Sequence, residues 1–177
     1  MSGGLPATIE PIRLADKGVD LRGEISLQGM TRLEASLRDK SGTASVDLAF
    51  RRDTDRGGRR VTGTISASLV VTCERCLEPL PLDLTADVDF LIVSADAGRE
   101  TDDTVDALEV EGPMALRDLV ENELVLALPM IPMHALEACP AAQWIEESDA
   151  QQKREEAGDV YRPFEGLAGM KPGDAKR

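Results

Sequence analysis

The chain has 177 residues, 42% of them hydrophobic but only 3% aromatic, and a net charge of −13. That length suits one domain with tails, and its core must be built from Leu, Val, Ile and Ala. No run approaches the roughly 18 apolar residues of a membrane span, and Met1–Pro6 lacks the basic start and apolar run of a signal peptide. A soluble, cytoplasmic protein is expected, and an odd count of three cysteines fits a reducing compartment better than a disulfide framework.

The charge is uneven. Residues 1–80 carry 12 basic and 11 acidic side chains, whereas 81–177 carry 8 and 22. The acidic half would repel nucleic acid, whose phosphates need Lys and Arg, and would attract a basic protein. Solubility alone is the plainer explanation of the same charge.

In chain order, Val19, Leu21, Ile25 and Leu27 alternate with polar residues and predict a half-buried strand with Gly23 on its apolar face. Met30, Leu33 and Leu37 have helical spacing and predict a short helix. Ala44, Val46, Leu48 and Phe50 predict a second strand, and Arg51–Arg60 reads as a turn with Gly57 and Gly58 near its tip. Val61, Ile65, Ala67, Leu69 and Val71 face away from a row of Thr and Ser. Leu82 to Ile92 repeats that alternation against Asp and Thr. Such patterning predicts an antiparallel meander over 43–93, its last two strands joined by the long connection Cys73–Pro81. An acidic loop over 94–111, with a short strand near Ala107–Val110, precedes a helix expected to begin at Pro113. Leu116, Leu119, Val120 and Leu124 are its buried stripe, and it should stop before Pro129. A further helix is expected around Ala141–Glu156. The fold class is α+β: an antiparallel sheet of about four to six strands with two or three packed helices. A single domain is expected over 1–160, with a tail over 161–177.

Chemistry concentrates in two places. Cys73-Glu74-Arg75-Cys76 is a pair of thiols at metal-gripping spacing, and His134 and Cys139 lie together in a later segment. These four are candidate ligands for a structural zinc, which prefers four soft or borderline donors in a tetrahedron. Leu77 stands where a zinc knuckle usually has glycine, and the second pair is spaced more loosely than a usual knuckle, so metal-free reduced thiols remain the plainer reading. A dithiol oxidoreductase is the enzyme alternative, although Pro79 and Pro81 follow the motif where a thioredoxin-type site would have a helix. The second place is the basic cluster Arg51, Arg52, Arg56, Arg59 and Arg60. It suits phosphate contact without base stacking, or else forms a solvated turn partly neutralised by Asp53 and Asp55. No hydrolase triad, phosphate-cradling loop or dinucleotide fingerprint is present.

Cys73-Glu-Arg-Cys-Leu77 ending a Val/Thr-rich strand, then Glu121-Asn-Glu-Leu-Val-Leu-Ala-Leu-Pro129, Met130-Ile-Pro-Met-His134, Cys139 and Arg162-Pro-Phe-Glu-Gly-Leu167 occur in an order that resembles the YceD family of large-ribosomal-RNA accumulation proteins. The resemblance is most specific in 71–77 and 119–134. It implies a bacterial, non-enzymatic ribosome biogenesis factor, whose partner is large-subunit ribosomal RNA precursor, a basic large-subunit ribosomal protein, or both. Relatives are often encoded beside such a protein. Some carry cysteine where this chain has His134, which favours a metal site. Relatives often have Asp near the position of Ala115, a helix cap that this chain lacks. A zinc-stabilised interaction module unrelated to ribosomes is the rival class.

Overall fold

A computed structural model describes residues 4–53, 58–95, 106–144 and 164. The chain divides into two compact units, Met1–His134 and Ala135–Arg177.

After a two-residue strand, β1 over Thr8–Ile9, the first unit is built on five strands: β2 over Asp20–Ser26, β3 over Thr43–Asp53, β4 over Gly58–Thr72, β5 over Pro79–Ser94 and β6 over Ala107–Val110. They form one sheet in the order β2-β3-β4-β5-β6. The first four pair antiparallel as the alternation requires, with β4 and β5 matched from Arg59 opposite Ile92 to Thr72 opposite Pro79. Register stacks the apolar residues in rows across the sheet: Ala44, Ala67 and Leu84; Val46, Ile65 and Ala86; Leu48, Gly63 and Val88; Phe50, Val61 and Phe90. The last strand departs from the sequence reading, because β6 pairs parallel to β5. A parallel neighbour needs a crossover of about a dozen residues or more, and the connection 95–106 is long enough to supply it. The sheet is therefore mixed.

Three α-helices accompany the sheet among the described residues of this unit: α1 over Pro11–Lys17, α2 over Thr31–Glu34 and α3 over Leu116–Ala127. The short helix near Met30 is a single turn, and α1 was not foreseen. It opens on a proline in its first turn and closes on Gly18 in the left-handed conformation, φ 65°, the residue types those two ends favour. It packs on β3 and β4.

Helix α3 begins at Leu116 rather than at Pro113. Met114–Ala115 instead forms strand β7, which pairs with β1, Thr8–Ile9, and the Leu116 N–H donates to the Ala7 carbonyl at 3.1 Å. Extended backbone at Ala115 thus holds the N-terminal segment, and no side chain caps the helix there. The stripe Leu116, Leu119, Val120 and Leu124 is buried as expected and joins the sheet's apolar face in one core. Each fully buried leucine contributes about 2 kcal/mol. The helix ends at Ala127, ahead of Pro129.

Glu121 is buried in that core, yet it is a polar anchor. Its Oε1 accepts the backbone N–H groups of Arg32 at 2.7 Å and Leu33 at 3.2 Å, and its Oε2 meets the Arg32 guanidinium at 2.9 Å. The carboxylate of α3 thereby caps α2, whose own N-cap, Met30, has no side-chain acceptor. Burial pushes the Glu121 carboxyl up, but Arg32 and the two N–H groups pull it below the usual 4.5. A group held low adds stability above its unfolded value and loses it as pH falls through the folded one. Glu121→Gln is expected to cost about 2 kcal/mol at pH 7. Denaturation at pH 7 and pH 3.5 checks this: the gap between wild type and variant should shrink below about pH 4.5.

In the second unit, the described residues form a one-turn 3-10 helix, Leu136–Ala138, and a helical start at 142–144. Most of the helix expected around Ala141–Glu156 lies outside the described residues, as does the tail apart from Phe164. No helix among the described residues is long and apolar enough to cross a membrane.

Candidate metal centre

Strand β4 ends at Thr72, and the chain turns at once into the Cys73–Glu78 connection. The Cys73 N–H donates to the Glu78 carbonyl at 3.0 Å, and the Leu77 N–H returns to the Cys73 carbonyl at 2.8 Å. The turn closes with Leu77 at φ 63°, the left-handed region where glycine is the ordinary occupant. The connection is shorter than the sequence implied, because Pro79 and Pro81 already belong to β5, at its edge with the loop.

The segment after α3 is tied to this turn. The Glu74 N–H donates to the Pro132 carbonyl at 2.9 Å, the Arg75 guanidinium donates to the His134 carbonyl at 3.4 Å, and the His134 N–H points at the Cys73 sulfur at 3.5 Å. As a result the sulfurs of Cys73 and Cys76 and a ring nitrogen of His134 all lie within 4.8 Å of one another. The imidazole is oriented by its far side: His134 Nε2 lies 3.1 Å from the Pro79 carbonyl. A carbonyl only accepts, so Nε2 is assigned a proton, and in the neutral imidazole Nδ1 is then the nitrogen with a lone pair to offer a metal. That Nδ1 lies 3.4 Å from Cys76 Sγ. A tetrahedral zinc with ordinary bond lengths sets neighbouring sulfur and nitrogen ligands about 3.5 Å apart. The residues present fit the ion. Anchoring a ligating histidine through its other ring N–H is the usual outer-shell arrangement at metal sites.

Electrostatics favour the form that binds metal. Burial pushes the Cys73 thiol up, but backbone N–H groups of Cys76, His134 and Arg75, with the Cys76 side chain, bring it down to about 6. Thiolate rather than thiol is the ligand. Cys139 belongs to the second unit, where it is buried and closes the 3-10 helix through its N–H to the Leu136 carbonyl at 3.2 Å.

The arginine cluster is placed differently from the sequence reading. Arg51 and Arg52 continue β3, and Arg59 and Arg60 open β4, as direct cross-strand neighbours. The expected turn over 51–60 is therefore mostly strand; residues 54–57, including Arg56, lie outside the described residues. Like charges facing across a sheet repel, and aspartates offset them. Asp16 of α1 holds Arg52 at 2.8 Å and accepts from Nε and Nη2 of Arg59 at 2.8 and 3.1 Å. Arg51 pairs with Asp20, and Arg60 pairs with Asp89 and, at 3.7 Å, with Asp53. Of these aspartates only Asp53 was foreseen, since Asp16, Asp20 and Asp89 come from elements distant in sequence; Asp55, expected beside Asp53, lies outside the described residues.

Comparison with known proteins settles the relationship. The model of the family described as large ribosomal RNA subunit accumulation protein YceD matches residues 61–171, more than half of the chain. The chain belongs to the YceD family. One relative within it, named large ribosomal RNA subunit accumulation protein YceD, from Haemophilus influenzae, is 29% identical over 175 residues, covering 94% of this chain and 96% of that protein. The YceD match spans both the Cys73–Cys76 turn and His134. No solved structure matches.

Proposed function

We propose that this chain supports accumulation of the large ribosomal RNA as a non-catalytic, cytoplasmic factor, and that it does so by binding a basic ribosomal protein. Membership of a family whose named relative has that role carries the first part. The arginine pairing favours the second. Each of the four described arginines already engages an aspartate, so a phosphate would have to displace a partner, while 81–177 carries 22 acidic residues against 8 basic ones. Direct contact of the arginine strands with precursor RNA is the second reading. It is favoured by the exposure of these pairs, which are individually weak.

Within this role Cys73, Cys76, His134 and Cys139 hold a structural zinc. Cys139 lies five residues beyond His134 and supplies the fourth ligand, leaving no position for a substrate. The thiols sit between two antiparallel strands, away from the helix N-terminus that activates a redox cysteine.

The role is tested in cells depleted of the protein, with large and small ribosomal RNA measured separately on sucrose gradients. A selective fall in the large RNA and in free large subunits is expected. Normal amounts of both would refute the proposed role.

A further inference from the structure

Among the described residues of the first unit, five large apolar side chains stand in solvent: Leu77 at 66% exposure, Leu126 at 78%, Met130 at 98%, and Ile131 and Met133. They come from only two segments, the Cys73–Glu78 turn and the end of α3 with the chain beyond it. The Glu74–Pro132 and His134–Cys73 hydrogen bonds hold those segments side by side. Exposed apolar residues gathered this way mark an interaction surface, and methionine adapts to varied partners.

Leu77 gives an independent sign. Its left-handed backbone, φ 63°, is unfavourable for a branched side chain and comfortable for glycine. The fold gains no buried contact in return, because the side chain points out. Strain held without structural benefit points to use by a partner.

Charge indicates the partner's chemistry. The last turn of α3 has no basic residue, so its terminal carbonyls leave a negative pole beside Leu126 and Met130. Glu74 and Glu78 flank the turn, while Arg75 and Arg38 are turned onto the carbonyls of His134 and Leu77. We infer that this face, Leu77 with Leu126, Met130, Ile131 and Met133, docks a basic protein segment that inserts an apolar anchor. The inference rests on the proposed capture of a basic ribosomal protein and locates it on the molecule. RNA is the disfavoured occupant, since a phosphate backbone calls for an array of cations.

The test mixes the full chain with RNA-free protein extracted from large ribosomal subunits, and separately with deproteinised large-subunit RNA. Leu77→Gly and the double variant Met130→Ser/Ile131→Ser are compared with wild type. Wild type should retain a basic protein of the extract, and both variants should bind it about tenfold more weakly. Leu77→Gly should melt no lower than wild type, because it relieves the backbone, so lost binding there is not lost folding. Variants that bind as tightly as wild type overturn this surface while leaving the capture reading intact. A wild type that retains RNA but no extracted protein overturns both.

Discussion

Gly63→Ala is expected to unfold the first unit or leave it barely stable, a loss of about 4 kcal/mol or more. Gly63 lies in the middle of β4, opposite Leu48 and Val88, with φ +148°. A Cβ there would sit 2.0 Å from the Asp47 carbonyl oxygen and 3.0 Å from the Leu48 Cα. Those atoms are backbone of the paired strand, so no rotamer change makes room. Relief requires the β3–β4 ladder to part beside Val46 and Ile65, two of the core rows. Urea denaturation checks it. A variant within about 1 kcal/mol of wild type would mean that the strands relax around a side chain here.

Cys73→Ser has the second large effect. The serine hydroxyl is a poor zinc ligand and does not become an anion at neutral pH, so one of the four proposed donors would be lost. It also leaves the converging N–H groups of Cys76, His134 and Arg75 with a weaker acceptor than a thiolate. Metal that binds only the folded chain stabilises it by mass action. The variant should therefore melt about 10 °C below metal-loaded wild type, and a chelator should lower wild type alone. Equal melting of both proteins with and without chelator would contradict a structural role for the metal. The metal-bound state should weaken in acid, where protons compete for the ligands.

Much of the frame was legible because period-two alternation survives in Ala44 to Phe50, Val61 to Val71 and Leu82 to Ile92, all on strands with one wet face. The four-residue stripe of α3 was legible for the corresponding reason. What escaped was set by pairings distant in sequence. Pro11 and Gly18 were available as end signals for α1, but only Pro11 and Ala15 of that helix are buried, which leaves little periodicity to read. The parallel course of β6 depends on a connection and not on its four residues. Met114 and Ala115 carry no strand signal of their own and become extended by pairing with Thr8 and Ile9.

The same division holds at the proposed metal centre. Cys73, Cys76, His134 and Cys139 were identifiable by type and grouping. The Pro79 carbonyl that fixes the imidazole and the Pro132 carbonyl that docks the turn are backbone atoms, which no side-chain pattern announces. The aspartates that occupy the arginines are ordinary surface residues in sequence, and only the placement of α1 and β2 beside β3 and β4 gives Asp16 and Asp20 their partners. Leu77 is the converse case. Its departure from glycine is visible in the sequence, but its exposure and left-handed backbone, which give the departure meaning, are not.

The most direct measurement is the metal content of the full-length protein, purified without chelator or added metal and set beside Cys73→Ser. One zinc per chain in wild type, absent from the variant, is the expected result. Wild-type protein that carries no metal and takes up none when zinc is added back would contradict the four-ligand site.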